Sequence, residues 1–82
     1  MARITMNNVR FYLDMYNCSV DELYKLTGVN MPTLIIKSAY GYHNLVEGST
    51  GKDIRCGLST RECYEILVAS HNMVETAINW AK

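Results

Sequence analysis

The chain has no excess charge of either sign: its 82 residues carry eight Lys and Arg against eight Asp and Glu. That balance removes the usual basis of avid, sequence-blind nucleic-acid binding, which is neutralisation of phosphates by Lys and Arg. A locally basic face is still allowed. Cysteine is scarce and odd in number. Cys18, Cys56 and Cys63 show no C-x-x-C spacing, which excludes a paired disulfide framework and leaves free thiols serving as small core residues. Long apolar runs are missing too. "MARITMNNVRFY" lacks the apolar centre of a signal peptide, and no stretch approaches membrane-spanning length, so the cytosol is the expected compartment. With 49% hydrophobic and 20% charged residues and one proline, the composition is that of a folded chain. At this length residues 1–82 make one small domain, whose core is sufficient but not generous.

What is present is mostly helical in period. Met6, Val9, Leu13 and Tyr16 share one helical face, with Asn8, Arg10 and Asp14 between them, which predicts a first helix over 6–17. "NCS" interrupts it. Ser19 and Glu22 then form a capping-box pair, Leu23 and Leu26 supply the buried stripe of a short second helix, and Gly28 suits the left-handed residue that ends it. Asn30 can cap a third helix over 31–39, with Pro32 in its first turn, although "TLIIK" is β-branched enough to suit a strand. Residues 40–57 hold four of the five glycines and read as a long loop, or as a hairpin of "YHNLVE" and "KDIRC" around "GSTG". Ser59 and Glu62 repeat the capping box ahead of a helix 59–69. After "SHN", Val74, Ala77, Ile78 and Ala81 give an apolar stripe for a last helix, 72–81, with Trp80 beside it. The expected fold is therefore mainly α, a small domain of about five helices.

The segment from Met6 to Ala39 resembles the phage-repressor (Cro-like) helix-turn-helix family. Ser19, Glu22 and Leu23 stand where the second helix of that family opens, Gly28, Val29 and Asn30 at its turn, and Thr33 and Leu34 in its recognition helix. The resemblance covers the N-terminal two-fifths of the chain. It implies a helix-turn-helix core whose helix 31–39 enters the major groove of double-stranded DNA. Asn30, Met31, Thr33 and Lys37 are then the candidate DNA contacts: Asn30 on a phosphate, Thr33 on a base edge or thymine methyl, and Lys37 on the backbone. Lys52 and Arg55 would add a basic wing. The function so implied is a small transcriptional regulator of phage or mobile-element type, whose dimer covers a palindromic operator.

Other chemistries find less in the sequence. "GSTGKD" has Val46 and Asp53 where a P-loop needs Gly and Ser or Thr. His43, Cys56, Cys63 and His71 match no common zinc spacing, and no motif marks an activated thiol, so neither a metal, a cofactor nor enzyme activity is expected. Six tyrosines and five methionines are many for so small a domain. Both types favour interfaces, which supports a homodimer. The neutral charge and the apolar Met31–Ile36 segment suit a second reading, a protein-interaction module such as a phage-encoded inhibitor of a host protein.

Overall fold

The computed structural model describes residues 3–82. Five elements follow one another: α1 (Met6–Thr27), β1 (Leu34–Ala39), β2 (Tyr42–Glu47), β3 (Asp53–Leu58) and α2 (Thr60–Ala81). The expected five-helix domain with a helix-turn-helix core is not what forms. The fold is α+β, with two long helices packed on each other and a three-stranded antiparallel sheet in the order β1-β2-β3.

Each departure has a physical cause. The predicted helix 6–17 and the short helix expected between Ser19 and Gly28 are one helix, because the polar residues that look like a break are engaged in tertiary bonds. Asn17 Nδ2 donates to the Leu34 carbonyl and its Oδ1 accepts from the Leu34 N–H, both at 2.9 Å. Ser19 Oγ donates to Glu75 Oε1 at 2.6 Å. Side chains bonded across the fold no longer compete with their own backbone. The helix ends where the sequence indicates: Gly28 adopts φ 77 and donates its N–H to the Tyr24 carbonyl.

The predicted helix 31–39 does not exist. Pro32 disfavours the helical conformation at Met31, and the β-branched Ile35 and Ile36 follow in β1. Residues 40–57 take the hairpin alternative, as β2 and β3. The β1–β2 link is Tyr40-Gly41, both at positive φ (54 and 78), the pattern of a type I′ turn. The predicted helices 59–69 and 72–81 are likewise one, continuous through "SHN".

Strand alternation sorts the sheet into two faces. Leu34, Leu45 and Leu58 join the helix residues Val9, Tyr16, Val20, Leu23, Cys63, Leu67, Val74 and Ile78 in one core, with Ile36 packed against it. Ile35, Lys37 and Ala39 alternate to the other face, opposite Val46, Asn44 and Tyr42. Among the described residues no helix packs on that face, although Val46 within it is fully buried.

Five elements that reverse direction in turn bring α1 and α2 side by side and parallel. The pairs between them agree. Tyr12 meets Tyr64 and His71 edge-on at 5.4 and 5.9 Å between ring centres, and Ser19 meets Glu75 further along both helices. A 22-residue helix is about 33 Å long and a six-residue strand about 20 Å. The sheet therefore backs only part of the helix pair. Its far end is level with Asn17, which holds Leu34, and its near end with Thr60, whose hydroxyl hydrogen-bonds the His43 ring. Residues of α1 after Asn17, and of α2 after about Met73, project past it.

Candidate interaction surface

The residues expected to meet DNA do not converge. Asn30, Met31 and Thr33 lie in the extended linker that folds back along α1, where Tyr16 Oη donates to the Pro32 carbonyl at 3.0 Å. They line two shallow clefts, of about 340 and 280 Å³, whose other walls include Glu47 and Asp21. Carboxylates there repel phosphate. Thr33 packs against the β2–β3 turn: its carbonyl accepts from the Gly48 N–H at 2.9 Å, and a Cβ at Gly48 would fall 2.7 Å from Thr33 Oγ1. Lys37 stands in mid-β1 on the sheet face away from the helices. Lys52 is in the turn after β2. Arg55 lines a groove between β3 and α2 beside Glu62 and Glu65. The basic candidates are thus dispersed over different faces, and the recognition helix that was to carry four of the six contacts is a linker and a strand.

The histidines are interior struts. His43 is buried. Its Nδ1 shares a 2.6 Å hydrogen bond with Ser38 Oγ, and its Nε2 a 3.1 Å bond with Thr60 Oγ1. The ring therefore ties β1 and β2 to the first turn of α2. A hydroxyl bonded to an imidazole is also how a nucleophile meets its base, but the second nitrogen here meets a hydroxyl where an orienting carboxylate would stand. His71 is buried between the helices, with Nε2 3.4 Å from Glu75 Oε1, and its Nδ1 has no partner among the described residues. No group of three or more His, Cys, Asp or Glu side chains among the described residues could hold a metal. Cys18 and Cys56 are exposed, whereas Cys63 is buried and burial raises its thiol pKa. Burial likewise raises the Tyr16 hydroxyl. No helix among the described residues is long and apolar enough to cross a membrane.

Large apolar side chains are exposed on α1 (Phe11, Tyr24, Leu26), on the sheet (Ile35, Tyr42, Ile54) and on α2 (Met73, Trp80). Those of α2 are set apart by the scarcity of charge around them. The capping box of α2 forms as expected: the Glu62 N–H donates to Ser59 Oγ at 3.1 Å, and Glu62 Oε1 accepts from the Ser59 N–H at 3.0 Å. The bond from the Ser59 backbone, then that from its hydroxyl, lowers the Glu62 pKa, and Arg55 adds to the shift. One face, Cys63, Leu67, His71, Val74 and Ile78, fills the core. From Ile66 to Ala81 the helix has a single charged residue, Glu75, and that carboxylate is bound by Ser19 and His71. Apart from Glu75, whose side chain is 41% exposed, the outward surface of these four turns is uncharged. It displays Met73, 74% exposed, and Trp80, 88% exposed, with Ala69 and Ala77 also open to solvent. Ile66, Ala69, Met73, Ala77 and Trp80 recur at spacings of three and four, so they form a second apolar stripe beside the core face. The sequence carries this signal as a gap in charge over 66–81. Ending one helix at "SHN" and starting another hides it, because the stripe runs through the break.

No family model, curated protein or solved structure matches the chain.

Proposed function

We propose that this chain works by binding protein, and that its contact surface is the outward face of α2 from Ile66 to Trp80. The observation that carries the reading is the uncharged surface bearing Met73 and Trp80. Solvated helices normally clothe their outer side in charge. Interface centres are instead depleted in charge and enriched in aromatic residues and methionine. A stripe with a large indole at one end and alanines within it offers a hydrophobic anchor and room for close approach. The DNA reading loses support on two counts: the helix it needs is absent, and Lys37, Lys52 and Arg55 stand apart.

The test is a selection of displayed random peptides on the immobilised protein, with the double variant Met73→Glu, Trp80→Glu as the comparison. Peptides that bind the parent and lose the double variant are expected. Peptides that bind both equally, or an enriched sequence from a random double-stranded DNA pool at near-physiological salt, would overturn the reading.

A further inference from the structure

We propose that the partner is a second copy of the chain: two α2 helices pair antiparallel about a two-fold axis at Met73, and each Trp80 seats in the groove between β3 and α2 of the other copy. The inference rests on the protein-binding reading of this face and names its occupant.

The first argument is the symmetry of the stripe. Ile66, Ala69, Met73, Ala77 and Trp80 lie at −7, −4, 0, +4 and +7 about Met73. An isologous contact must be complementary to itself. Turned about Met73, the stripe brings Ala69 against Ala77 of the second copy and Ile66 against Trp80 of the second copy. The alanines allow the helix axes to approach, and the large residues fill the ends.

A second argument is the groove. Ile66 and Ala69 form the apolar part of a cleft of about 300 Å³, whose walls carry Arg55, Glu62 and Glu65. Trp80 stands seven residues from the axis, about 10.5 Å along the helix, and Ile66 stands equally far on the other side. The indole of one copy therefore arrives level with the cleft of the other. A cation beside an apolar floor suits an aromatic ring, with Arg55 placed to meet its face.

Charge permits the same arrangement. Glu75 is the one charged residue between Ile66 and Ala81, and Ser19 and His71 hold it toward α1. No like charges oppose each other along the seam. Lys82 comes within about a turn of Glu62 and Glu65 of the second copy. Burial of the two Trp80 side chains would remove roughly 300–500 Å² from water, a large part of the ~1,000 Å² that a specific interface requires. A reversible dimer of moderate affinity is expected.

Sedimentation equilibrium from about 1 to about 500 µM spans the range for such an interface. The expected result is a shift from one-chain to two-chain mass, accompanied by a blue shift of the single tryptophan's emission. Trp80→Ala and Ala69→Arg should each weaken association at least about 30-fold, as loss of a hot spot does. In a Cys18→Ser, Cys56→Ser background, Met73→Cys should oxidise to a cross-linked dimer, whereas Ala77→Cys should not. One-chain mass throughout overturns the second-copy inference, and the protein-binding reading is then judged by the peptide selection alone. A dimer that survives both Trp80→Ala and Ala69→Arg overturns this surface as its seat. Self-cross-linking of Ala77→Cys overturns the antiparallel register.

Discussion

The two helices have the same length and each buries five residues, yet they distribute charge over their solvent sides differently. The outward side of α1 carries Arg10, Asp14, Asp21, Glu22 and Lys25, with an Asp21–Lys25 ion pair at 3.0 Å, and it sets Phe11, Tyr24 and Leu26 exposed among these charges. Its polar side chains are also engaged inward, as Tyr16, Asn17 and Ser19 bond the linker, β1 and α2. α2 has its charges in the first two turns and, from Ile66 to Ala81, only Glu75, which Ser19 and His71 bind. A packed core needs only one face of each helix, so the second stripe of α2 exceeds what the monomer uses. The difference teaches that α1 intersperses its exposed apolar side chains with charge, while α2 presents an uncharged stripe suited to burial.

The comparison breaks most severely in the core. Leu67 is fully buried on the inner face of α2, and Leu67→Ala is expected to cost about 3 kcal/mol, from lost burial and the cavity left behind. Chemical denaturation measures this directly. A loss under about 1 kcal/mol would mean that the helices do not pack as described. α1 should show its dependence on polar bonds. Asn17→Ala leaves the Leu34 N–H and C=O without their side-chain partner, and about 1–2 kcal/mol should follow. Amide exchange at the start of β1 should rise more than elsewhere.

How much of this was legible in the sequence varied with the physics of each signal. Local signals hold at Gly28 and at Ser59–Glu62, whereas the same capping-box spacing at Ser19–Glu22 falls inside α1, where Ser19 bonds Glu75 instead. The apolar positions Val9, Tyr16, Leu23, Cys63, Leu67, Val74 and Ile78 are core. What failed were the breaks. Asn17, Ser19 and His71 look like interruptions until their partners Leu34 and Glu75 are known, and those lie 17, 56 and four residues away. The segment after Pro32 is ambiguous by period, and its choice of strand depends on pairing with β2, which no local reading contains. Of the surface, Trp80 was noticed only as a neighbour of a stripe. Leu26, expected in a buried stripe, is exposed, as are Ala77 and Ala81 of the last stripe.

A smaller effect separates the two helix starts by pH. α1 begins with Thr5, whose N–H and hydroxyl both donate to Asn8 Oδ1, so nothing there titrates with acid. α2 begins with Ser59 and Glu62, and the Glu62 pKa is lowered in the fold. A carboxylate with a depressed folded pKa contributes stability above its unfolded value, and that contribution is lost as pH falls through the folded value. Acidification below the ordinary 4.5 should therefore loosen the first turn of α2 and spare that of α1. Amide exchange over 59–63 against 5–9 reads the difference. Ser59→Ala should cost about 1 kcal/mol at neutral pH and flatten this pH dependence. Equal acid sensitivity at the two ends would remove Glu62 as its cause.

The smallest expected effect on stability is the most discriminating between the helices. Lys25→Ala on α1 removes an exposed ion pair, and Ala77→Glu on α2 adds a charge at an exposed position. Each should change the stability of the dilute protein by no more than about 0.5 kcal/mol. Thermal melts at low concentration should hardly distinguish them. Association should. Lys25 lies on α1, outside the proposed seam, so its loss leaves the concentration dependence of the mass unchanged. A glutamate at position 77 must be desolvated against Ala69 of the second copy, and nothing on that stripe can pair with it. Ala77→Glu should thus shift the sedimentation profile toward one chain at unchanged melting temperature. If Lys25→Ala shifts the profile equally, the uncharged face is not what distinguishes α2 from α1.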